Sequence, residues 1–253
     1  MEVRVLGSYG SRVPGHQTSC FLVDRRLAID AGGLTGMLQM QEQIAIDHVL
    51  ISHAHLDHIY DLAFLVDNVM TARHQPLRIW APEQVLAMLR QHLFNDQIWP
   101  DMSSIQVNGC PVMELCPLFP GQINQVGPYQ VRWEKTAHPV FSAGYLVSDE
   151  QVAILYTGDT TTTDALWTLG RQSERLALLF AEASFPNCMV DLARQTGHLT
   201  PLLLAEELQK LDRPELPVKI YHMKPQYIEE ISRELMDLNA NYQILQGNET
   251  YQL

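Results

Sequence analysis

The chain has 253 residues, of which 46% are hydrophobic, and its formal net charge is −12. This apolar content can build one large domain or two small ones, and because no Gly/Ser linker or shift in composition divides the chain, we predict a single domain over residues 1–253. The acidic charge argues against a large nucleic-acid partner, which proteins bind through Lys and Arg, but it leaves room for a small phosphate ester.

Short strands predominate in the first half of the chain. Apolar runs bounded by Gly, Pro and Asp predict strands at residues 2–7, 20–23, 26–29, 49–52 and 77–80. The pair Asp24-Arg25 predicts a tight hairpin turn. Helices are predicted at residues 36–43, 57–71 and 82–93, the last with Pro82 in its first turn, and residues 94–104 are expected to be irregular.

The second half repeats this layout. Strands are predicted at residues 105–107, 112–115, 122–126, 129–135, 176–181, 218–221 and 242–245, and a hairpin joins 144–147 to 151–156. Helices are predicted at 201–211, with Thr200 as N-cap, and at 226–238. Two strand-rich halves that each carry helices predict two sheets packed face to face with helices outside.

The apolar runs also bear on localisation. The longest of them, such as 152–156 and 176–181, have the length of strands and are too short to cross a bilayer. The alternating N-terminus lacks the basic start and apolar middle of a signal peptide, so we expect a cytoplasmic protein with no membrane partner. No Cys-x-x-Cys pair occurs, and we expect reduced, structural cysteines at Cys20, Cys110, Cys116 and Cys188.

Four side chains of metal-ligand type occur within the six-residue segment His-Ala-His-Leu-Asp-His, namely His53, His55, Asp57 and His58. The segment lies between a predicted strand and a predicted helix, so the turn can direct several of these side chains into one cleft. Imidazole together with carboxylate suits zinc, manganese or iron. Four ligands exceed the need of one catalytic zinc, which keeps a position open for water, and the surplus indicates two metal ions.

Further polar residues each follow an apolar run later in the chain: His138, Asp159, Glu182 and His222. Ligands at strand ends are held by a rigid scaffold and can open into one cleft. A single histidine after a strand is more often an ordinary surface or core residue. The recurrence of such residues after the 53–58 segment is what points to one composite site.

These motifs resemble the metallo-β-lactamase superfamily. The His-x-His-x-Asp-His segment is its most specific signature, and the remaining motifs match in order at Asp30 of Ile-Asp-Ala-Gly-Gly, His138, Asp159 of Thr-Gly-Asp-Thr, and His222. The resemblance covers nearly the whole chain. It implies an α/β fold, a four-layer αββα sandwich, with the site at one edge.

The resemblance also implies two divalent metal ions, with Zn²⁺ expected and Mn²⁺ or Fe²⁺ as alternatives. The implied ligands are His53, His55 and His138 for one ion, Asp57, His58 and His222 for the other, and Asp159 as a bridge. Asp30 would orient a ligand histidine from behind.

Finer motifs resemble the class II cyclic-nucleotide phosphodiesterases: Glu182-Ala-Ser-Phe-Pro-Asn, Gly197-His198-Leu-Thr-Pro and His222-Met-Lys-Pro. The implied reaction is hydrolysis of a 3′,5′-cyclic nucleotide, cAMP or cGMP, to the 5′-monophosphate by a metal-activated hydroxide. Asp57 would orient or deprotonate the nucleophile. His198, held by Glu182, would protonate the leaving alkoxide. Lys224 could contact phosphate, and Asp61 stands where the class II pattern has Gly or Ser.

Three other functions stay open. The Glu182 and His198 motifs also resemble ribonuclease Z, a tRNA 3′ endonuclease, but only the residues 139–158 separate His138 from Asp159, too few for its long substrate arm. Another hydrolase on the same fold, such as a lactonase, a thioesterase or a different phosphodiesterase, is possible because function depends on the site. A non-catalytic nucleotide sensor is disfavoured since all seven ligands are present.

The resemblance also bears on the oligomeric state, and it suggests that the protein forms a homodimer.

Overall fold

The computed structural model describes residues 1–238 and 242–253. Its strands are β1 Glu2–Gly7, β2 Cys20–Val23, β3 Leu27–Ile29, β4 His48–Leu50, β5 Leu77–Pro82, β6 Gln106–Val107, β7 Cys110–Pro111, β8 Met113–Leu118, β9 Asn124–Val126, β10 Tyr129–Lys135, β11 Ala143–Ser148, β12 Ala153–Tyr156, β13 Leu176–Glu182, β14 Val218–Tyr221, β15 Tyr242–Ile244 and β16 Thr250–Gln252. Its helices are α1 Met40–Ile44, α2 Leu56–Ile59, α3 Leu62–Val69, α4 Glu83–His92, α5 Ala165–Arg171, α6 Val190–Thr196, α7 Pro201–Leu211 and α8 Ile228–Asp237.

Two sheets of seven strands carry the fold, in the orders β16-β1-β2-β3-β4-β5-β8 and β15-β14-β13-β12-β11-β10-β9. Each sheet has an antiparallel half and a parallel half. The antiparallel strands are β16, β1, β2 and β3 in the first sheet and β9 to β12 in the second. The pairs from β3 to β8 in the first sheet and from β12 to β15 in the second are parallel. The two sheets therefore share the same arrangement of strands, with the C-terminal strand β16 completing the first sheet. Parallel strands need crossover connections, which explains why helices lie beside these parts of both sheets.

The core consists of three layers of apolar side chains. The central layer lies between the sheets, and alternate residues of β10 enter it, Tyr129, Val131 and Trp133, as a half-buried strand requires. One outer layer packs α3 and α4 on the first sheet, and the other packs α5, α7 and α8 on the second. This arrangement of helix, sheet, sheet and helix confirms the predicted αββα sandwich.

Local predictions were mostly confirmed, with some corrections. Asp24 and Arg25 both have positive φ, of 45° and 59°, as a tight two-residue hairpin requires. The hairpin predicted around residues 148–150 is formed by β11 and β12. The helix predicted at 36–43 is only the five-residue α1, shifted toward its C-terminal side. Of the strands and helices given above, four had no prediction, namely α5, α6, β7 and β16.

The helix predicted at 57–71 is wrong as a single element, because it is divided into α2 and α3. The backbone N–H of Asp61 donates to the carbonyl of Ala31 at 2.8 Å instead of extending the helical ladder. Gly32 approaches the same break, where a Cβ would lie 2.0 Å from the carbonyl oxygen of Asp57. The loop after β3 thus ends α2 and fixes where its side chains point.

In the part of the chain that the structure describes, every helix is too short or too polar to cross a membrane. Helix α7, the longest, has eleven residues. This agrees with the strand-length apolar runs of the sequence.

Candidate metal centre

The predicted ligands lie just beyond strand ends at one edge of both sheets. His53 and His55 follow β4, and α2 presents Asp57 and His58 immediately afterwards. The second sheet contributes three more residues, which follow β10, β12 and β14: His138, Asp159 and His222. The three strands β10, β12 and β14 run in the same direction, because β10 and β12 are each antiparallel to β11, while β13 is parallel to both β12 and β14. Their ends therefore meet at the same edge.

All seven predicted ligands converge there. The ligand atoms within each of two clusters lie within 4.8 Å of one another, the first formed by His53, His55, His138 and Asp159 and the second by Asp57, His58 and His222. The Asp159 carboxylate connects the clusters. Its Oδ2 lies 3.6 Å from Nε2 of His53 and 3.3 Å from Nε2 of His222, and its Oδ1 lies 3.4 Å from Nε2 of His58.

Two buried atoms test whether these residues fit a metal. Nε2 of His53 and Oδ1 of Asp159 are buried and have no hydrogen-bond partner within the described residues. Such orphaned atoms are costly unless something else satisfies them. A cation between the two would accept a lone pair from each, so the donor set fits a divalent metal.

The spacing of the imidazole nitrogens gives a second test. Nε2 of His138 lies 3.1 Å from Nδ1 of His55, and Nε2 of His58 lies 3.2 Å from Nε2 of His222. Nitrogen ligands of a tetrahedral zinc, each about 2.0 Å from the ion, are about 3.3 Å apart. The side chains are therefore already arranged at ligand separation.

In the first cluster, electrostatics favour the protonation states in which histidine and aspartate side chains bind a metal. Burial is the main reason that the pKa of His53 is well below its usual value, and it also lowers the pKa of His55 and His138. Neutral imidazole is the form that binds metal. For Asp159, burial would raise the pKa, but the neighbouring histidines, His222 first and then His58, hold it well below the usual range. Its carboxylate is therefore ionised.

Asp30 supports the site from behind, where the sequence placed it. This fully buried residue has φ +56° and accepts four hydrogen bonds. The donors are the Ser52 backbone N–H at 2.7 Å, the Ser52 hydroxyl at 2.8 Å, the Tyr156 hydroxyl at 2.6 Å and Nδ1 of His58 at 2.7 Å. Because Nδ1 of His58 is engaged by Asp30, Nε2 is the ring nitrogen that faces the cluster and would bind a metal.

We expect Asp30→Asn to weaken metal binding by about 10- to 100-fold, because an amide cannot accept all of these hydrogen bonds or hold the His58 proton in place. Competition with a fluorescent zinc chelator would measure the change. Asp67→Asn, on the exposed face of α3, is the matched control and should bind metal like the wild type. Equal metal affinity in the Asp30 variant would contradict the supporting role.

The predicted pair of Glu182 and His198 lies beside the second cluster. Nδ1 of His198 donates to Oε1 of Glu182 at 2.9 Å. The His198 ring centroid is 5.2 Å from that of His138 and 5.2 Å from that of His222. Burial would lower the pKa of His198, but the Glu182 carboxylate raises it. The Glu182 carboxylate thus favours the protonated form of His198, whose ring lies beside the candidate metal site.

Ser184 is a residue of this network to which the sequence motif gave no role. Its hydroxyl donates to Oε2 of Glu182 at 2.6 Å and accepts from Nδ1 of His222 at 2.9 Å. It thereby connects the Glu182 and His198 pair to a candidate ligand. Its position two residues after Glu182, at the end of a buried strand, was the only signal in the sequence.

Ser184→Ala removes a donor to Glu182 and the acceptor for His222. We expect metal affinity to fall about tenfold, since second-layer partners of metal-bound histidines contribute effects of this size. Isothermal calorimetry with zinc would measure the affinity. Ser184→Thr, which keeps the hydroxyl, should recover most of it, and a Ser184→Ala protein with unchanged affinity would exclude the link.

Two other residues that the sequence analysis singled out, Lys224 and Asp61, make hydrogen bonds that hold loops in place. Nζ of Lys224 donates to the carbonyl of Gly10 at 2.5 Å, so one of its three donors holds the loop after β1, and its contact with phosphate stays a prediction. Asp61 is buried and accepts from the backbone N–H of Thr35 at 2.7 Å. It fastens the loop that follows Asp30, which is a structural use of the position where the class II pattern has Gly or Ser.

Comparison with known proteins finds phosphodiesterases and ribonucleases among the relatives of this chain. The relatives include a probable 3′,5′-cyclic-nucleotide phosphodiesterase of Yersinia pestis, 29% identical over 210 residues, which make up 72% of this chain and 58% of the relative. They also include a nuclear ribonuclease Z of Triticum aestivum, 32% identical over 148 residues, 58% of this chain and 77% of the relative. The chain spans about half the length of the phosphodiesterase relatives from yeast and Yersinia, 50% and 58%.

A solved structure shares the fold. The structure of unliganded yeast PDE1 superposes with a TM-score of 0.83 over 100% of this chain and 99% of that chain, at 20% sequence identity. Identity this low establishes a common architecture only. The family model of the beta-lactamase superfamily domain matches residues 25–223, a stretch that runs from the β2–β3 turn past His222. Since this match spans most of the chain and both ligand clusters, the protein belongs to the beta-lactamase superfamily.

Proposed function

We propose that the protein is a metal-dependent phosphodiesterase that hydrolyses a 3′,5′-cyclic nucleotide, cAMP or cGMP, to the 5′-monophosphate. The observation that carries the proposal is the buried pair of Glu182 and His198 beside the two ligand clusters. A departing ribose alkoxide needs a proton, whereas the thiolate that a thioesterase releases needs such a donor less. The names of several relatives support the same class of reaction.

The ligands would hold two divalent ions, one on each cluster. When bound, such ions lower the pKa of a water molecule toward neutrality and neutralise charge on a phosphoryl group. Zn²⁺ is the proposed native metal, with Mn²⁺ or Fe²⁺ as alternatives. We also propose that the substrate is a small phosphodiester and not a large nucleic acid, that the protein forms a homodimer, and that it is cytoplasmic.

The chain's own residues would supply proton transfer and orientation. Nδ1 of His198 is occupied by Glu182, so Nε2 is the atom that can give a proton to the leaving O3′. Glu182 is itself held by the backbone N–H of Thr160 at 2.9 Å and by Ser184. This rigid support keeps the donor in one orientation and so lowers the entropic part of the barrier.

Asp57 would orient the attacking water. Burial would raise the pKa of Asp57, but His222 and then His58 hold it below the usual range, so the carboxylate is ionised and can accept a hydrogen bond. It retains 26% exposure of its side chain, and its Oδ2 lies 3.2 Å from Nε2 of His222. It is therefore the ligand most open to solvent in its cluster and the one best placed beside an incoming water.

A tRNA 3′ endonuclease is the second candidate, since the same Glu182 and His198 pair would serve it and a ribonuclease Z is among the relatives. The connection between His138 and Asp159 argues against it. Strands β11 and β12 fill that connection and leave only the turn at 149–152 between them. The net charge of −12 also opposes binding of a polyanion.

A hydrolysis panel with the zinc- or manganese-loaded protein tests the proposal. We expect turnover of 3′,5′-cyclic AMP or GMP with release of the 5′-monophosphate, turnover of bis-p-nitrophenyl phosphate, and no cleavage of precursor tRNA. Chromatography of the products identifies which ester bond breaks. Cleavage of precursor tRNA without any cyclic-nucleotide turnover would replace our proposal with the second candidate.

A further inference from the structure

The loop between β1 and β2 lies against the second ligand cluster and is fixed at its base. The backbone N–H groups of Ser8 and Tyr9 donate to the carbonyl of Gln17 at 3.1 and 3.0 Å, and that of Gly10 donates to Met223 at 3.1 Å. Gly10 contacts the ring of His222 so closely that a Cβ would lie 2.7 Å from its Nδ1. The residues that follow Gly10 are therefore held beside the candidate metal site.

A cavity of about 310 Å³ opens between this loop and α2. Its walls include Arg12 from the loop, and Leu56, Asp57 and Tyr60 from α2 and the residue after it. Asp57 belongs to the second ligand cluster as well. A phosphodiester bound at the clusters would therefore extend one of its organic groups into this cavity.

The cavity presents exposed side chains that could recognise a ligand. The Arg12 guanidinium carbon lies 4.7 Å from the ring centroid of Tyr60. Within residues 1–238 and 242–253, Arg12 makes no side-chain hydrogen bond or ion pair, and its side chain is exposed. Tyr60 is 47% exposed and Leu56 71% exposed. A cation stacked on an aromatic ring, with an exposed apolar side chain beside them, is suited to a planar polar ligand.

We propose that this cavity binds the base of the nucleotide substrate and favours guanine over adenine. The proposal rests on the proposed function, because it assigns one part of that substrate to a place beside the metal centre. Aromatic rings and guanidinium planes stack on nucleobases, whose faces they match in shape. The Arg12 fork can donate to both O6 and N7 of guanine, whereas adenine offers N7 beside an amino donor.

Steady-state kinetics on three substrates test the assignment: 3′,5′-cyclic GMP, 3′,5′-cyclic AMP and the base-free 1-deoxyribose 3′,5′-cyclic phosphate. We expect Arg12→Ala to raise KM for cyclic GMP about tenfold and to reduce the preference for guanine. Tyr60→Leu is expected to raise KM about tenfold for both nucleotides. Neither variant should change KM for the base-free substrate or change kcat by more than about twofold.

The matched control is Arg25→Ala, which should resemble the wild type. Arg25 lies on the β2–β3 turn, at the opposite end of β3 from Asp30, and its removal changes the net charge equally. Tyr60→Phe is the conservative rescue variant: it keeps the ring, so it should recover most of the affinity for both nucleotides that Tyr60→Leu loses. An equal rise in KM for all three substrates in Arg12→Ala would show that Arg12 contacts the phosphate and not the base. Unchanged KM values in Arg12→Ala and Tyr60→Leu would show that neither residue recognises the substrate. Either result overturns the proposal.

Calorimetric binding of 5′-GMP and ribose 5-phosphate separates this inference from the proposed function, because it needs no turnover. Suppose that no cyclic nucleotide is hydrolysed, that GMP binds more tightly than ribose 5-phosphate, and that this difference in affinity disappears in Arg12→Ala and Tyr60→Leu. The base site is then correct and the proposed reaction is wrong. If GMP binds no more tightly than ribose 5-phosphate to the wild-type protein, the base site is wrong.

Discussion

Replacement of Asp159 by alanine is expected to reduce hydrolysis of cyclic nucleotide by about 1000-fold or more, because a loss of several kcal/mol of charge stabilisation slows a reaction to this extent. Asp159 is 1% exposed and its two oxygens lie between three histidines of both clusters. Its removal would affect both metal sites together. Metal content per chain, measured by plasma mass spectrometry, should fall from about two ions to below one.

Two further variants make this experiment specific. Asp159→Asn preserves the shape of the side chain but supplies no negative charge, so it should also lose metal and activity. Asp67→Asn makes the same chemical change on the exposed face of α3 and should retain both. An Asp159→Asn protein with full metal content and activity would exclude a bridging carboxylate.

The second large effect is expected at His198. His198→Ala should retain metal, since none of the seven predicted ligands is removed, but it should slow hydrolysis of cyclic nucleotide by about 100- to 1000-fold. The physical reason is that a ribose alkoxide is a poor leaving group that needs a proton. With bis-p-nitrophenyl phosphate, whose leaving phenolate is stable without a proton, the loss should be within about threefold.

The ratio of these two losses is the diagnostic quantity. His74→Ala, an exposed histidine outside the site, should change neither rate. Glu182→Gln should show the same selective loss as His198→Ala, because the pKa of His198 is raised by the Glu182 carboxylate. Equal losses on both substrates would mean that His198 positions the phosphate or the metal rather than donating a proton.

The sequence predicted the architecture because its local signals agree with the tertiary fold. Tyr129, Val131 and Trp133 alternate with polar residues and enter the central core as that period requires. The sequence-based prediction failed where tertiary packing overrides the local preference for secondary structure. Helix α5, whose buried side includes Trp167 and Gly170, contains residues of low helix propensity, and it forms because its apolar face packs on the second sheet.

The break between α2 and α3 has a different cause. Helical periodicity continues through residues 57–71, so the sequence alone favours one helix. The interruption comes from the loop after β3, where Ala31 accepts the backbone N–H of Asp61 and Gly32 approaches Asp57. Such a contact joins residues far apart in the sequence and has no signature in either segment.

For the candidate site, ligand chemistry could be predicted because metal coordination demands particular side chains at set spacing. The segment at residues 53–58 and the polar residues after later strands meet that demand without knowledge of the fold. The supporting groups could not be predicted in this way. Ser52, Tyr156 and Ser184 are ordinary residues of a core, and only their hydrogen bonds to Asp30 or Glu182 distinguish them.

The sequence by itself therefore determined which side chains are of metal-ligand type and which strands they follow, since residue type and hydrophobic period are local properties. Only the tertiary structure decided that Asp159 stands between two clusters, that Ser184 connects His222 to Glu182, and that Arg12 lies over Tyr60. The reason is physical: these relations are distances between segments that meet when two sheets pack together, and no single segment encodes them.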